Sequence, residues 1–152
     1  MIKKFRSLKL SVIGLGYVGL PLALEFGKRI NVVGFDPDKK RIKQLNFGLD
    51  KNLEISSKEI KKAKYLKFTS NKKYIINSNC FVVTVPTPID KNKKPNLKPL
   101  LDASKTISKV LEKGCVVIYE STVYPGCIEE KCVPVLEKYS RSEEHTSELQ
   151  SR

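Results

Sequence analysis

The chain has 152 residues, the length of a single domain, and its hydrophobic share of 40% excludes a disordered chain. Lysine and arginine number 29 against 16 aspartates and glutamates, a formal net charge of +13 at pH 7. These basic residues are spread along the whole chain, with no aromatic-basic platform for stacking bases, so they are read as a solvated lysine surface that also attracts anionic nucleotides, with no nucleic-acid partner. Lys3, Lys4 and Arg6 precede an apolar stretch, but Gly14, Gly16, Gly19 and Pro21 interrupt it, which excludes a signal peptide. No segment is long and apolar enough to span a bilayer, so a cytoplasmic protein without a membrane partner is expected.

In chain order, residues 8–13 predict a short buried strand and residues 18–29 the helix after it. Residues 31–35 predict a second strand with Asp36 at its C-terminal end. A short helix follows over 38–47 and ends at Gly48. Ser56 and Glu59 form a capping box that opens another helix to about Lys64. Residues 66–69 and the continuous apolar run 80–85 predict two further strands. Residues 97–113 carry the clearest amphipathic pattern, with Leu100, Ala103, Ile107 and Val110 in one row, and Gly114 terminates it. Residues 115–119 predict another buried strand, and residues 128–139 a last helix bent or broken at Pro134. Alternating strands and helices imply an α/β, doubly wound parallel sheet covered on both faces.

The strand–turn–helix at the start carries Gly14-Leu15-Gly16-Tyr17-Val18-Gly19, with Asp36 at the tip of the next strand. In that context the string is a dinucleotide-binding fingerprint of the Rossmann type. Gly14 allows the tight turn, Gly16 lets a pyrophosphate approach the backbone, and Gly19 lets the helix pack close to the sheet. The positive end of the helix meets the phosphates. Asp36 accepts from ribose hydroxyls and repels a 2′-phosphate, which favours NAD over NADP, although Lys39, Lys40 and Arg41 are cations close enough to weigh the other way. Two further strand ends are unusual: Val85-Pro86-Thr87-Pro88 and the run from Glu120 to Gly126. Cys80, Cys115, Cys127 and Cys132 show no metal-ligand spacing and read as reduced thiols.

Residues 141–152 read RSEEHTSELQSR, which matches an in-frame translation of a common sequencing-library adapter. This tail is read as foreign and disordered, the lone histidine His145 belongs to it, and the NAD-binding domain is assigned to 1–140. On that reading the native protein continues past Ser140. The sheet is then truncated on its C-terminal side, and an exposed edge is left where a sixth strand belongs.

GLGYVGLPLA, VPTP and ESTVYPG together resemble the nucleotide-sugar 6-dehydrogenases, which include UDP-glucose and UDP-N-acetylhexosamine dehydrogenases. The resemblance covers residues 8–140, and the run from Tyr119 to Ser140 is most similar to the enzymes that oxidise UDP-N-acetylglucosamine or UDP-N-acetylgalactosamine for surface polysaccharides. It implies a cofactor site of Gly14, Gly16, Tyr17, Val18, Gly19, Asp36, Arg41, Thr87 and Thr122, with Arg41 near the adenosine and NAD as cofactor. It also implies a two-step, NAD-dependent oxidation of the sugar C6 alcohol to a uronate in a homo-oligomer. The catalytic cysteine and most of the UDP-sugar site then lie beyond the segment present, and none of the four cysteines here matches the nucleophile's motif. No residue of this chain is therefore assigned a catalytic role, and the chain alone is expected to be inactive. A UDP-glucose dehydrogenase, a hydroxyacid-type dehydrogenase and a non-enzymatic NAD-binding module stay open as alternatives.

Overall fold

Ile13, Phe35, Thr69, Val83 and Tyr119 end their strands at one level, because each strand pairs in parallel and in register with the next. The structure, a computed structural model, describes residues 7–140 and the backbone of 148–151. Its strands are β1 (Leu10–Ile13), β2 (Val32–Phe35), β3 (Leu66–Thr69), β4 (Cys80–Val83), β5 (Val116–Tyr119) and β6 (Glu148–Ser151). The sheet order is β3-β2-β1-β4-β5-β6, the doubly wound order that reverses direction between β1 and β4.

Alternation along each strand divides the core in two. Val12 and Val82 face a cluster built with α1 (Gly19–Gly27), α2 (Lys39–Asn46) and α3 (Ser57–Lys62). Ile13, Phe81, Val83, Val117 and Tyr119 face the opposite cluster, covered by α4 (Lys98–Ser108) and α5 (Val133–Tyr139). Buried on both faces, the central strands carry near-continuous apolar sequence.

The helix ends follow side-chain chemistry. The Asp38 carboxylate accepts from the N–H groups of Lys40 and Arg41 and caps α2, and Gly48 beyond it takes a φ of +77°. Ser56 Oγ accepts from Glu59 N at 3.2 Å and opens α3. A 3₁₀ turn at Lys72–Ile75, absent from the sequence expectations, is capped by Asn71.

Three expectations are corrected. The helix predicted over 97–113 stops at Ser108, although Val110 and Leu111 stay buried. Ser108 Oγ bonds the Lys105 carbonyl at 2.6 Å and draws on an acceptor that a further helical turn would use, so the apolar period outlasts the helix. The last predicted helix is a π-helical turn, Ile128–Cys132, followed by α5, with Pro134 in the first turn of α5. The proline ring has no N–H and collides with the carbonyl four residues back, and the added residue in the preceding turn accommodates it. Finally, the tail expected to be disordered contributes β6, which pairs in parallel with β5, so the edge expected to be open is occupied. Pairing is a backbone property, and the free N–H and C=O groups of β5 accept an extended segment whatever its side chains. Residues 141–147, His145 among them, lie outside the described residues.

Candidate dinucleotide-binding cleft

A cleft of about 760 Å³ opens at the C-terminal ends of β1, β2 and β4, where the strand order reverses. Gly14, Gly16, Asp36 and Arg41 line one side of it, and Pro86 and the face of α4 that carries Lys98, Asp102, Lys105 and Thr106 line the other.

The turn after β1 is fixed by what its glycines exclude. Gly14 has a φ of +101°, and its N–H donates to Phe35 O at 2.8 Å. A Cβ at Gly19 would overlap the Gly14 carbonyl and the Thr84 hydroxyl, so only glycine lets α1 start this close to β1. Thr84 Oγ1 holds that carbonyl, donating to Gly14 O at 2.7 Å. A Cβ at Gly16 would meet nothing within 4 Å, so this position faces open space in the cleft. The N–H groups of Gly16, Tyr17 and Val18 have no protein acceptor among the described residues, as befits the start of a helix. An anion seated there would satisfy them.

Asp36 is half-buried and braces the turn with both oxygens. Oδ2 accepts from Leu15 N at 3.0 Å and Oδ1 from Asp38 N at 2.9 Å. Each carboxylate oxygen keeps a further lone pair for a hydroxyl donor. Arg41 is 4% exposed. Its Nε and Nη2 both donate to Leu15 O, at 2.9 and 2.8 Å, and Nη1 donates to Asp50 Oδ1 at 2.8 Å. Asp50 also accepts from the N–H groups of Asn52 and Ile55. Burial raises the Asp50 carboxyl, but the Arg41 hydrogen bond and the two backbone donors outweigh it, so the group lies below its ordinary value. Around this centre Lys51, Lys72, Lys105 and Lys109 face the cleft and favour an anionic ligand.

The other two strand-end runs meet each other. Thr87 Oγ1 donates to Thr122 O at 2.7 Å, and Ser121 Oγ donates to Val85 O at 2.6 Å. Of the residues expected at the site, Gly14, Gly16, Asp36 and Arg41 line the cleft, and Gly19 is buried beneath the turn. Tyr17 and Val18 are exposed beside it, while Thr87 and Thr122 join two loops outside its lining. Sequence reasoning missed Asp50, Lys72 and Lys105. No local pattern marks Asp50, and the lysines are indistinguishable in sequence from the solvated ones.

The cysteines sit apart from this cleft. Cys115, Cys127 and Cys132 are buried, and Cys80 opens β4 at the opposite end of the sheet. Burial pushes the Cys80 and Cys132 thiols up, away from a reactive thiolate. Among the described residues no group of three or more His, Cys, Asp or Glu side chains could hold a metal ion, and no helix is long and apolar enough to cross a membrane.

The unpartnered N–H groups, the open face at Gly16 and the spare lone pairs of Asp36 fit a dinucleotide. The chain is 58% identical over 135 residues to the UDP-N-acetyl-D-glucosamine 6-dehydrogenase of Pseudomonas aeruginosa, covering 89% of this chain and 32% of that protein. It is 49% identical over 131 residues to Protein CapL of Staphylococcus aureus, covering 86% of this chain and 31% of the relative. The chain thus spans about a third of the length of the curated relatives it matches. Its fold superposes on the UDP-D-ManNAc dehydrogenase of Pyrococcus horikoshii with a TM-score of 0.85 at 31% identity, over 95% of this chain and 36% of that one. Residues 8–151 match the NAD-binding domain of the UDP-glucose/GDP-mannose dehydrogenase family, and the chain belongs to that family.

Proposed function

We propose that this chain is the cofactor-binding part of a UDP-N-acetylhexosamine 6-dehydrogenase, which oxidises the sugar C6 alcohol to a carboxylate in two NAD-dependent steps. The observation that carries the reading is the Asp36–Leu15 brace beside an open Gly16, together with 58% identity to a UDP-N-acetyl-D-glucosamine 6-dehydrogenase. NAD supplies the hydride acceptor. In this reading Gly16 and the N–H groups of Tyr17 and Val18 receive the pyrophosphate, Gly14 and Gly19 shape the turn, and Asp36 receives the adenosine ribose. Arg41 stands beside that ribose acid, and Thr87 and Thr122 hold the two loops that face the reacting end.

In this reading the chain binds the cofactor and does not turn over, with residues 1–140 forming the cofactor domain and 141–152 a foreign tail. The UDP-sugar site, the homo-oligomer interface and a cytoplasmic location belong to the whole protein. The test has two parts. The chain is titrated calorimetrically with NAD and with NADP, and NAD is expected to bind more tightly. The whole protein from the source locus is then assayed with UDP-N-acetylglucosamine, UDP-N-acetylgalactosamine and UDP-glucose. Two NADH per N-acetylhexosamine oxidised supports the reading. Turnover of UDP-glucose alone moves the assignment to a UDP-glucose dehydrogenase.

A further inference from the structure

The Leu15 peptide groups are held at both ends. Leu15 N donates to Asp36, and Leu15 O receives two hydrogen bonds from the fork of a single guanidinium. Nε and Nη2 of Arg41 converge on that one carbonyl, a geometry lysine cannot reproduce. The third bond of Arg41 goes to Asp50, whose side chain is 2% exposed and whose oxygens also hold Asn52 N and Ile55 N. Arg41 is thus buried, and its counter-charge is anchored to the loop after α2.

A planar trans peptide points its C=O and N–H in opposite directions. Fixing Leu15 O on Arg41 therefore aims Gly16 N–H away from Arg41, and Gly16 lines the cleft with no protein acceptor for that N–H among the described residues. A flipped peptide would turn the carbonyl oxygen toward the phosphates and repel them. It would also strip the buried guanidinium of the one carbonyl that accepts two of its hydrogen bonds, a costly arrangement.

We propose that Arg41, with Asp50 as its fixed counter-charge, is a positioning residue that orients the Leu15–Gly16 peptide so that Gly16 N–H is presented to the cofactor pyrophosphate. This rests on the cofactor reading above and gives Arg41 a task different from contact with adenosine. Asp50 becomes part of the binding machinery through Arg41.

The test separates pyrophosphate from adenosine. ADP-ribose and adenosine are titrated into the full chain, its Arg41→Lys variant and its Asp50→Asn variant, with amide spectra recorded throughout. Both variants are expected to bind ADP-ribose at least tenfold more weakly while adenosine affinity stays within twofold. Equal loss for both ligands in folded variants overturns the proposal in favour of direct adenosine contact, and unchanged ADP-ribose affinity overturns it outright. Should the variants not fold, the wild-type chain decides: the Gly16 amide proton must move downfield with ADP-ribose and not with adenosine, and an unmoved amide overturns the proposal. Wild-type chain that binds neither ligand defeats the cofactor reading itself, a separate and recognisable failure.

Discussion

Alanine at Gly16 and alanine at Gly19 add the same methyl group three residues apart, yet the structure separates their consequences. A Cβ at Gly16 touches no protein atom within 4 Å, and Gly16 is not among the positive-φ glycines. Its replacement is therefore expected to leave the ligand-free chain within about 0.5 kcal/mol of the parent, or to stabilise it slightly by restricting the unfolded chain. The same methyl occupies the space a pyrophosphate needs. At a cofactor concentration of 100 times Kd, bound NAD stabilises the parent by about 2.7 kcal/mol, roughly 5–10 °C in Tm for a chain of this size. Gly16→Ala is expected to lose most of that ligand-induced shift. Gly19→Ala is expected to behave the other way. Its methyl overlaps the Gly14 carbonyl and the Thr84 hydroxyl, so α1 must move off β1, at about 3 kcal/mol or more even without ligand. Thermal melts of both variants, with and without NAD, read the two effects independently. Gly16→Ala melting as low as Gly19→Ala without ligand, or keeping the full NAD shift, would refute the reasoning.

Asp36→Ala removes the acceptor for both Leu15 N and Asp38 N, so a loss of about 1–3 kcal/mol is expected in the melt and a narrowing of the NAD-over-NADP preference in calorimetry. The Asp50 carboxyl is lowered from its ordinary value of 3.8, so its contribution is complete above that value and fades as pH falls through the lower folded one; Tm measured from pH 5 to pH 2 should fall less steeply in Asp50→Asn than in the parent. Ser104 Oγ lies 2.6 Å from Tyr119 Oη and also donates to Leu100 O, so Ser104→Ala leaves a buried phenol with only the weak Cys132 thiol and should cost about 1–3 kcal/mol in urea denaturation, more than Tyr119→Phe. Deleting 141–152 removes β6 and bares the β5 edge; NAD affinity should be unchanged, because the cleft opens at the ends of β1, β2 and β4, while light scattering should show more self-association.

The sheet and the phosphate turn were legible because their determinants are local. Continuous apolar runs such as 80–83, the glycines of the turn, Asp38 as a cap and the Ser56–Glu59 box each act within a few residues of themselves. The failures share a cause of the opposite kind. Val110 and Leu111 continue the apolar period of α4 because they remain in the core, and burial does not report that the backbone has left the helix. The π-helical turn before Pro134 depends on how the chain absorbs a missing N–H, for which a proline in sequence offers several solutions. β6 depends on an unpaired backbone edge elsewhere, so nothing in the side chains of 148–151 could have announced it.

Arg41 makes the same point within the site. In sequence it is one of three adjacent cations after Asp36, and any of them could be set against a 2′-phosphate. In the structure Lys39 and Lys40 are exposed, while Arg41 is buried with its charge met by Asp50. One of the three cations set against NAD is therefore already paired, and on the proposed reading the carboxylate of Asp36 is the charge that faces the ribose. On that reading the preference for NAD depends in part on a pairing between residues nine apart that no helix or strand period links. Breaking that pair tests it directly. With Asp50→Asn the guanidinium loses its counter-charge and its fixed seat on Leu15 O, both cofactors should bind more weakly, and NADP should gain on NAD relative to the parent in competitive titration. An unchanged ratio would leave Asp36 alone in charge of the choice.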